Sequence, residues 1–153
     1  MRGAVRLGSV VVSVDLEQLL RRQNRFMIGF DLVLGSATLL APDQTLKLVF
    51  GHREPSDDAR ETFRRCAPIW LTFAAAHTVA EVRDEPRDWW ALAWLRGTEI
   101  ATDALWSRSA SFNARGRRGM WFAGASNVAM AAGFGWLAAR RAPPRRRLGL
   151  GRR

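Results

Sequence analysis

Ionisable side chains recur at helical spacing within stretches that are otherwise apolar. Arg96, Glu99 and Asp103 are spaced i, i+3, i+7, so on a helix they fall within about 60° of one another and form one stripe. His77 and Glu81 share a helix face at i, i+4. A histidine beside carboxyl groups can exchange a proton near neutral pH, which is the chemistry of an acid–base site. If the site is catalytic, its candidate residues are His77, Glu81, Glu99 and Thr102.

The same groups allow interpretations that involve no catalysis. In one, Arg96 pairs with an acid on its own helix and with Asp31 or Glu81 on a neighbouring helix, because an unpaired charge in an apolar interior is costly. In another, Glu81 and Asp103 lie near lipid head groups. A polar cavity for a ligand, proton or ion is the remaining alternative. The residues of the predicted ion pairs or cavity are Asp31, Arg96, Glu99, Asp103 and Asn127.

The chain contains no sequence motif for metal binding, nucleotide binding or thiol redox chemistry. CxxC, HExxH, P-loop and GxGxxG sequences do not occur. Cys66 is the single cysteine, which excludes an internal disulfide. We therefore expect neither a metal site nor a cofactor.

The stretch from residue 119 to residue 139 is the most apolar element of the chain. Its 21 residues include no Asp, Glu, Lys, Arg or Pro. At a rise of about 1.5 Å per residue, a helix of this length just crosses a hydrocarbon core about 30 Å thick. Tryptophans lie at segment ends, as interfacial belts require, at Trp89, Trp90, Trp106, Trp121 and Trp136. The stretch predicts a membrane protein, with a soluble helical bundle as the alternative.

Three weaker segments complete a predicted all-α fold, a four-helix transmembrane bundle. The spans are residues 26–41, 67–80, 89–106 and 119–139. Asp15 can cap a short amphipathic helix before the first span, and Ser56 can cap the helix that leads into the second, with a kink at Pro68. The predicted parts are an N-terminal arm with the amphipathic helix at 1–25, the membrane domain at 26–139, and a disordered basic tail at 140–153.

The basic residues favour one orientation in the membrane. The formal charge is +10, and all but Lys47 of the 24 basic residues are arginine. Only Arg96 lies inside a predicted span, so the basic residues flank the apolar segments, which fits anionic lipid better than one nucleic-acid-binding face. Of the basic residues outside the spans, fourteen lie on the side of the predicted membrane that contains the two termini, and nine lie on the opposite side. The positive-inside rule then predicts both termini in the cytoplasm.

Small residues recur every four positions along the fourth span. Gly119, Ala123, Ala131 and Gly135 form a ridge together with Asn127. Such a ridge lets another helix approach closely, and Asn127 can form a hydrogen bond across the contact. Alanine-rich segments also produce such ridges by chance, so the pattern alone does not decide between helix packing and coincidence.

The layout of residues 20–140 resembles a family of small membrane proteins. The first span ends in LLAPD at 39–43, a short helix contains LKLVFG at 46–51, and Arg96 and Asp103 lie within the third span. This layout is similar to that of the DoxX-like four-helix membrane proteins of bacteria. The resemblance implies the fold and a multi-pass location in the bacterial cytoplasmic (inner) membrane, with both termini cytoplasmic.

Two short motifs resemble the sterol isomerase (emopamil-binding) family. That family carries His-x-x-x-Glu on one span and Glu-x-x-Thr followed by Leu-Trp on the next. Here the segments from His77 to Glu81 and from Glu99 to Trp106 are similar. The resemblance implies acids that shuttle a proton across a ring double bond. We expect the chain to lack the family's fifth helix, and Arg96 departs from a site that is largely apolar in that family, as does Asp103.

The sequence favours a small integral membrane protein of accessory or assembly type that catalyses no reaction of its own. This expectation follows from the missing catalytic motif and the small-residue ridge. The expected partners are membrane lipids and either other membrane subunits or further copies of the chain, whereas nucleic acid is not expected. The alternatives are a membrane-embedded ligand-binding protein or isomerase that uses a His/Glu polar cavity, and a soluble helical bundle.

Overall fold

A computed structural model describes residues 2–7 and 10–143 of the chain, with side chains from residue 15 onward. The described chain is all-α, as predicted, with a two-stranded antiparallel hairpin before the first helix. In the hairpin, β1 (Arg2–Leu7) pairs with β2 (Val10–Asp15). The helices are α1 (Leu16–Leu40), α2 (Pro42–Leu48), α3 (Asp57–Arg65), α4 (Ala67–Arg83), α5 (Pro86–Trp106) and α6 (Ala114–Arg141).

Short polar side chains fix where three helices begin. Asp15 Oδ1 accepts a hydrogen bond from the Glu17 amide at 3.1 Å, and Ser56 Oγ accepts one from the Ala59 amide at 3.2 Å. Both predicted caps are therefore confirmed. Asn113 caps α6 in the same way, through its side-chain oxygen.

Some helix boundaries differ from the predicted ones. The amphipathic segment is not a separate helix, because residues 16–25 contain no Gly or Pro and continue directly into the first apolar segment as α1. The second predicted helix is divided at Cys66 into α3 and α4, next to the expected kink at Pro68. At the other terminus α6 continues to Arg141, two residues into the predicted tail. Residues 144–153 of that tail lie outside the described residues.

The four long helices run alternately up and down. α1 packs along α4, α5 packs along α6, and the two pairs join mainly through α4 and α5. One end of the bundle, called here the terminal end, contains the start of α1, the end of α6 and the α4–α5 turn. The opposite end, called the far end, contains α2, α3 and the loop at 107–113, where His52 and Phe112 form an antiparallel bridge.

Two apolar clusters fill the interior, one near each end. The cluster at the terminal end is centred on the fully buried Trp89 and Phe134. The cluster at the far end is aromatic and includes Phe50, Phe63, Phe112, Trp70 and Trp106. On α1, Met27 belongs to the first cluster and Leu34 to the second, so the buried Asp31 lies between them.

The tryptophans are divided between core and surface. Trp90 and Trp121 are 55% and 57% exposed, as interfacial positions require. Trp89 is fully buried, and Trp106 and Trp136 are partly buried against the two clusters. The assignment of Trp89 to a surface belt is therefore wrong, because this ring is the largest fully buried side chain of the described core.

One described helix is long and apolar enough to cross a membrane on these two criteria. It is α6, in which the best 18-residue window has a mean hydropathy of 1.2 and is 28% buried. Among the described helices, α1, α4 and α5 do not satisfy the same criteria.

Candidate functional site

Arg96 of α5 lies at the centre of a buried hydrogen-bond network that joins three helices. Its guanidinium forms an ion pair with Asp31 of α1, and its Nε donates to His77 Nε2 of α4 at 3.0 Å. Asp31 and His77 have no exposed surface, and Arg96 is 4% exposed. The predicted pairing of Arg96 is confirmed, and of the four candidate acids Asp31 is the one that it meets.

The two neighbours of His77 determine which ring nitrogen carries the hydrogen. A guanidinium only donates, so His77 Nε2, which accepts from Arg96, is the unprotonated nitrogen. Nδ1 then carries the hydrogen and donates it to Asn24 Oδ1, 2.6 Å away. Both nitrogens of a neutral ring are thus used, and His77 is a fixed link between α1 and α5.

Asn24 extends the network from the centre toward the terminal end. It is fully buried, and its Nδ2 donates to the His77 carbonyl oxygen at 3.1 Å and to Glu81 Oε2 at 3.0 Å. Glu81 also accepts from Arg25 at 2.7 Å. The candidate pair His77 and Glu81 is therefore joined through Asn24.

Sequence reasoning missed Asn24 because it assigned residues 16–25 to a surface helix. The signal that identifies it is a seven-residue spacing. Asn24, Asp31 and Thr38 recur at this spacing, and all three are fully buried on α1. Positions two helical turns apart lie along one face, so these three side chains define the polar stripe of α1.

Aromatic rings enclose the charged centre. The Arg96 guanidinium carbon lies 4.9 Å from the centroid of the Phe73 ring, which is within the range of a cation–π contact. The His77 ring packs edge-on against Phe134, with centroids 5.6 Å apart. These contacts hold the polar groups in fixed positions between apolar walls.

Asp103 of α5 and Asn127 of α6 form a second polar contact. Asn127 Nδ2 donates to Asp103 Oδ2 at 2.9 Å, and the two residues are 6% and 7% exposed. Gly124 lies beside them, where an added Cβ would be 3.4 Å from the Asp103 Cβ. Asp103 is thus directed into the bundle.

The remaining catalytic candidates do not join His77 and Glu81. Glu99 and Thr102 are half-buried on α5. Neither side chain forms a hydrogen bond or ion pair with any residue that the structure describes. The four candidate catalytic residues therefore do not form one hydrogen-bonded site.

The small residues of α6 point in different directions. Gly135 faces α5, where an added Cβ would be 3.4 Å from the Trp90 ring, whereas at Gly119 it would meet nothing within 4 Å. Ala123 and Ala131 are partly buried. A spacing of four advances about 40° around a helix at each step, so Gly119 and Gly135 lie about 160° apart. Gly119 therefore contacts no other helix of this bundle, and its role in helix packing stays a prediction.

Ion pairs close the terminal end, through a group called here the terminal clamp: Glu17, Arg21, Asp84 and Arg141. Arg141 lies 2.6 Å from Glu17 Oε1 and 2.5 Å from Asp84 Oδ1, and Arg21 lies 2.5 Å from Asp84 Oδ2. Partial burial raises the pKa of Asp84, but hydrogen bonds from Arg141 and Trp89 outweigh this effect and hold that pKa below its ordinary value. The clamp ties α1, the α4–α5 turn and α6 together.

The described residues include no group of three or more His, Cys, Asp or Glu side chains that could hold a metal ion. No protein-family model, curated protein or solved structure matches the chain.

Proposed function

We propose that the chain is a small multi-pass membrane protein of accessory or assembly type, in which the buried polar network holds the helices together and no reaction is catalysed. The observation that carries this proposal is the distribution of polar side chains, which is the reverse of that in a soluble protein. The middle of each long helix exposes apolar side chains, while charged and amide side chains lie inside the bundle.

α1 illustrates this distribution. Its exposed residues beyond Arg25 are Phe26, Gly29, Phe30, Leu32, Val33, Leu39 and Leu40, whereas its buried face carries Asn24, Asp31 and Thr38. A soluble protein seldom exposes so continuous an apolar surface. In a bilayer the same arrangement is expected, because lipid accepts the apolar side chains and charged groups pair in the bundle interior.

The uncharged exterior has a suitable length on all four long helices. No charged residue is exposed within residues 26–41, 67–82, 89–106 and 119–139. As helices, these stretches span about 24–32 Å, close to the thickness of a hydrocarbon core. This surface supports four spans, although α6 alone is apolar enough by composition.

The terminal end is the proposed cytoplasmic side of a bacterial inner membrane. Counted over the full sequence, fourteen basic residues belong to this end, seven of them from residue 140 onward, and nine belong to the far end. Cytoplasmic loops and termini carry an excess of such residues. The likeness to DoxX-like proteins stays a prediction.

The full use of the His77 ring supports a structural role for this residue rather than acid–base catalysis, although Asp31 Oδ1 accepts no hydrogen bond from a described residue. Both ring nitrogens of His77 are engaged, and Arg96 is shared between His77 and Asp31. A catalytic base must instead have a nitrogen or oxygen within hydrogen-bond distance of a substrate proton. An accessory role further requires a surface for other membrane subunits or a second copy, and the exposed face of α6 around Gly119 and Phe122 is available for such a contact.

The test is to express the full chain, separate membranes from cytosol, and purify the protein in mild detergent. We expect resistance to alkaline extraction from the membrane and a stoichiometric membrane partner or homo-oligomer. Monomeric protein that stays in solution after ultracentrifugation without detergent would establish a soluble bundle instead.

A membrane-embedded ligand-binding protein or isomerase is the second candidate. The observation in its favour is that Asn24 links His77 directly to Glu81. A lone monomer that retains a lipid or sterol-like molecule through purification would favour this candidate over the accessory role.

A further inference from the structure

We propose that Asp103, Asn127 and Thr38 bind a small, hard monovalent cation of the Na⁺ class, with the half-buried Glu99 at the entrance. The proposal rests on the proposed membrane location in one respect. Lipid around the bundle excludes water, and this raises the energetic cost of a carboxylate without a cation. Its evidence is a buried acid without a basic partner, together with buried oxygen atoms that lack a donor.

Asp103 is the buried acid that the polar network leaves without a cation. Asp31 is neutralised by Arg96, whereas Asp103 forms no ion pair with any described residue. Its described side-chain hydrogen bond comes from the neutral amide of Asn127. This carboxyl group between α5 and α6 therefore has no basic side chain as an ion-pair partner among the described residues.

The side-chain oxygen of Asn127 is the second, independent observation. Its Nδ2 is held by Asp103, so Oδ1 of the same planar amide is fixed close to the carboxylate. This oxygen is buried and accepts no hydrogen bond from a described residue. A buried amide oxygen without a donor, beside a carboxyl group, suits a positive ion and repels an anion.

Thr38 lies at the same height in the bundle. α1 and α5 run in the same direction, since each is antiparallel to α4. Asp31 of α1 contacts Arg96 of α5. Thr38 follows Asp31 by seven residues, and Asp103 follows Arg96 by seven residues, so each lies about 10 Å closer to the far end along its helix. The hydroxyl of Thr38 is also fully buried without a described partner.

The donor set indicates the class of ion. Carboxylate, amide and hydroxyl oxygens are hard ligands. The carboxylate of Asp103 balances one positive charge, whereas a divalent ion would also need the carboxylate of Glu99 as a ligand. Glu99, one turn before Asp103 on the same stripe, is half-buried and provides an acidic approach.

The test measures thermal unfolding of the purified full chain at constant ionic strength, with NaCl progressively replacing N-methyl-D-glucamine chloride. At a Na⁺ concentration 100 times the Kd, we expect Tm to be higher by about 5–10 °C, with saturation. The near-isosteric variant Asp103→Asn should unfold without this Na⁺ response, and Asn127→Ala should weaken it. Binding of radioactive ²²Na⁺ to the same preparations gives a direct second measurement.

The matched control is Glu61→Gln, which removes an exposed acid on α3 and should keep the full response. Identical Tm values in both salts for folded wild-type protein, an unchanged response in Asp103→Asn, or stabilisation by Ca²⁺ in place of Na⁺ would each overturn the proposal. Because the assay uses the purified chain in whichever solvent keeps it folded, its result is separate from the membrane-extraction result.

Discussion

At Arg96 a single guanidinium pairs with an acid on α1 and donates a hydrogen bond to a histidine on α4. Arg96→Ala should destabilise the protein by about 3–5 kcal/mol, because it leaves a buried carboxylate unpaired. Adding Asp31→Asn to that variant should recover much of the loss, since the uncompensated charge is then gone. Unfolding of the purified variants in detergent measures both values. A double variant as unstable as Arg96→Ala alone would contradict the pairing.

Asn24 is the residue whose removal should reveal how far the network extends. Asn24→Ala leaves the Nδ1 hydrogen of His77 without an acceptor and should cost about 1–3 kcal/mol. Gln18→Ala, an exposed change on the same helix, is the control and should have little effect. If the two variants unfold at the same temperature, the link between α1 and α4 contributes nothing to stability.

Two glycines of α6 test how closely the elements pack. An added Cβ at Gly116 would collide with the carbonyl oxygen of Phe50, so Gly116→Ala should cost about 1–3 kcal/mol. Gly119→Ala meets open space in a helix and should be neutral or stabilising by up to about 1 kcal/mol. The difference in Tm between the variants is the measurement. A loss at Gly119 equal to that at Gly116 would instead indicate that another helix covers Gly119.

Helices were predictable from sequence because apolar runs begin at recognisable caps, as at Asp15 and Ser56. The stripe containing Arg96 was predictable because spacing along one helix determines which side chains share a face. The acid that pairs with Arg96 was not predictable. The choice of Asp31 among four acids depends on the relative heights and rotations of separate helices. The continuity of α1, which buries Asn24, likewise depends on packing against α4.

At the scale of the whole molecule, the terminal clamp makes stability depend on pH. The pKa of Asp84 is lower in the folded state than in the unfolded chain, where it is about 3.9. The stabilisation by Asp84 is therefore complete above that value and is lost as pH falls through the folded-state pKa. Asp84→Asn, which tolerates the left-handed backbone at φ 52°, should lower Tm at pH 7.

The same variant should show a smaller further loss than wild type when the pH is lowered from 5 to about 3. The pH dependence of Tm for both proteins is the measurement, and Asp58→Asn, an exposed acid outside the clamp, is the control. Parallel curves for wild type and Asp84→Asn would show that other acids cause the acid destabilisation.

Substitutions on the outer surface of the bundle test whether this surface contacts lipid or water. Val33, at the middle of the proposed span 26–41, is 68% exposed, and Leu48, on α2 at the far end, is 66% exposed. In a membrane, Val33→Arg should oppose insertion by about 2.5–3.5 kcal/mol and reduce the carbonate-resistant fraction of the protein, whereas Leu48→Arg should be tolerated outside the hydrocarbon. In a soluble bundle the two substitutions are equivalent, because each places a charge in water. Equal membrane fractions and equal folding for both variants would therefore refute the four-span arrangement.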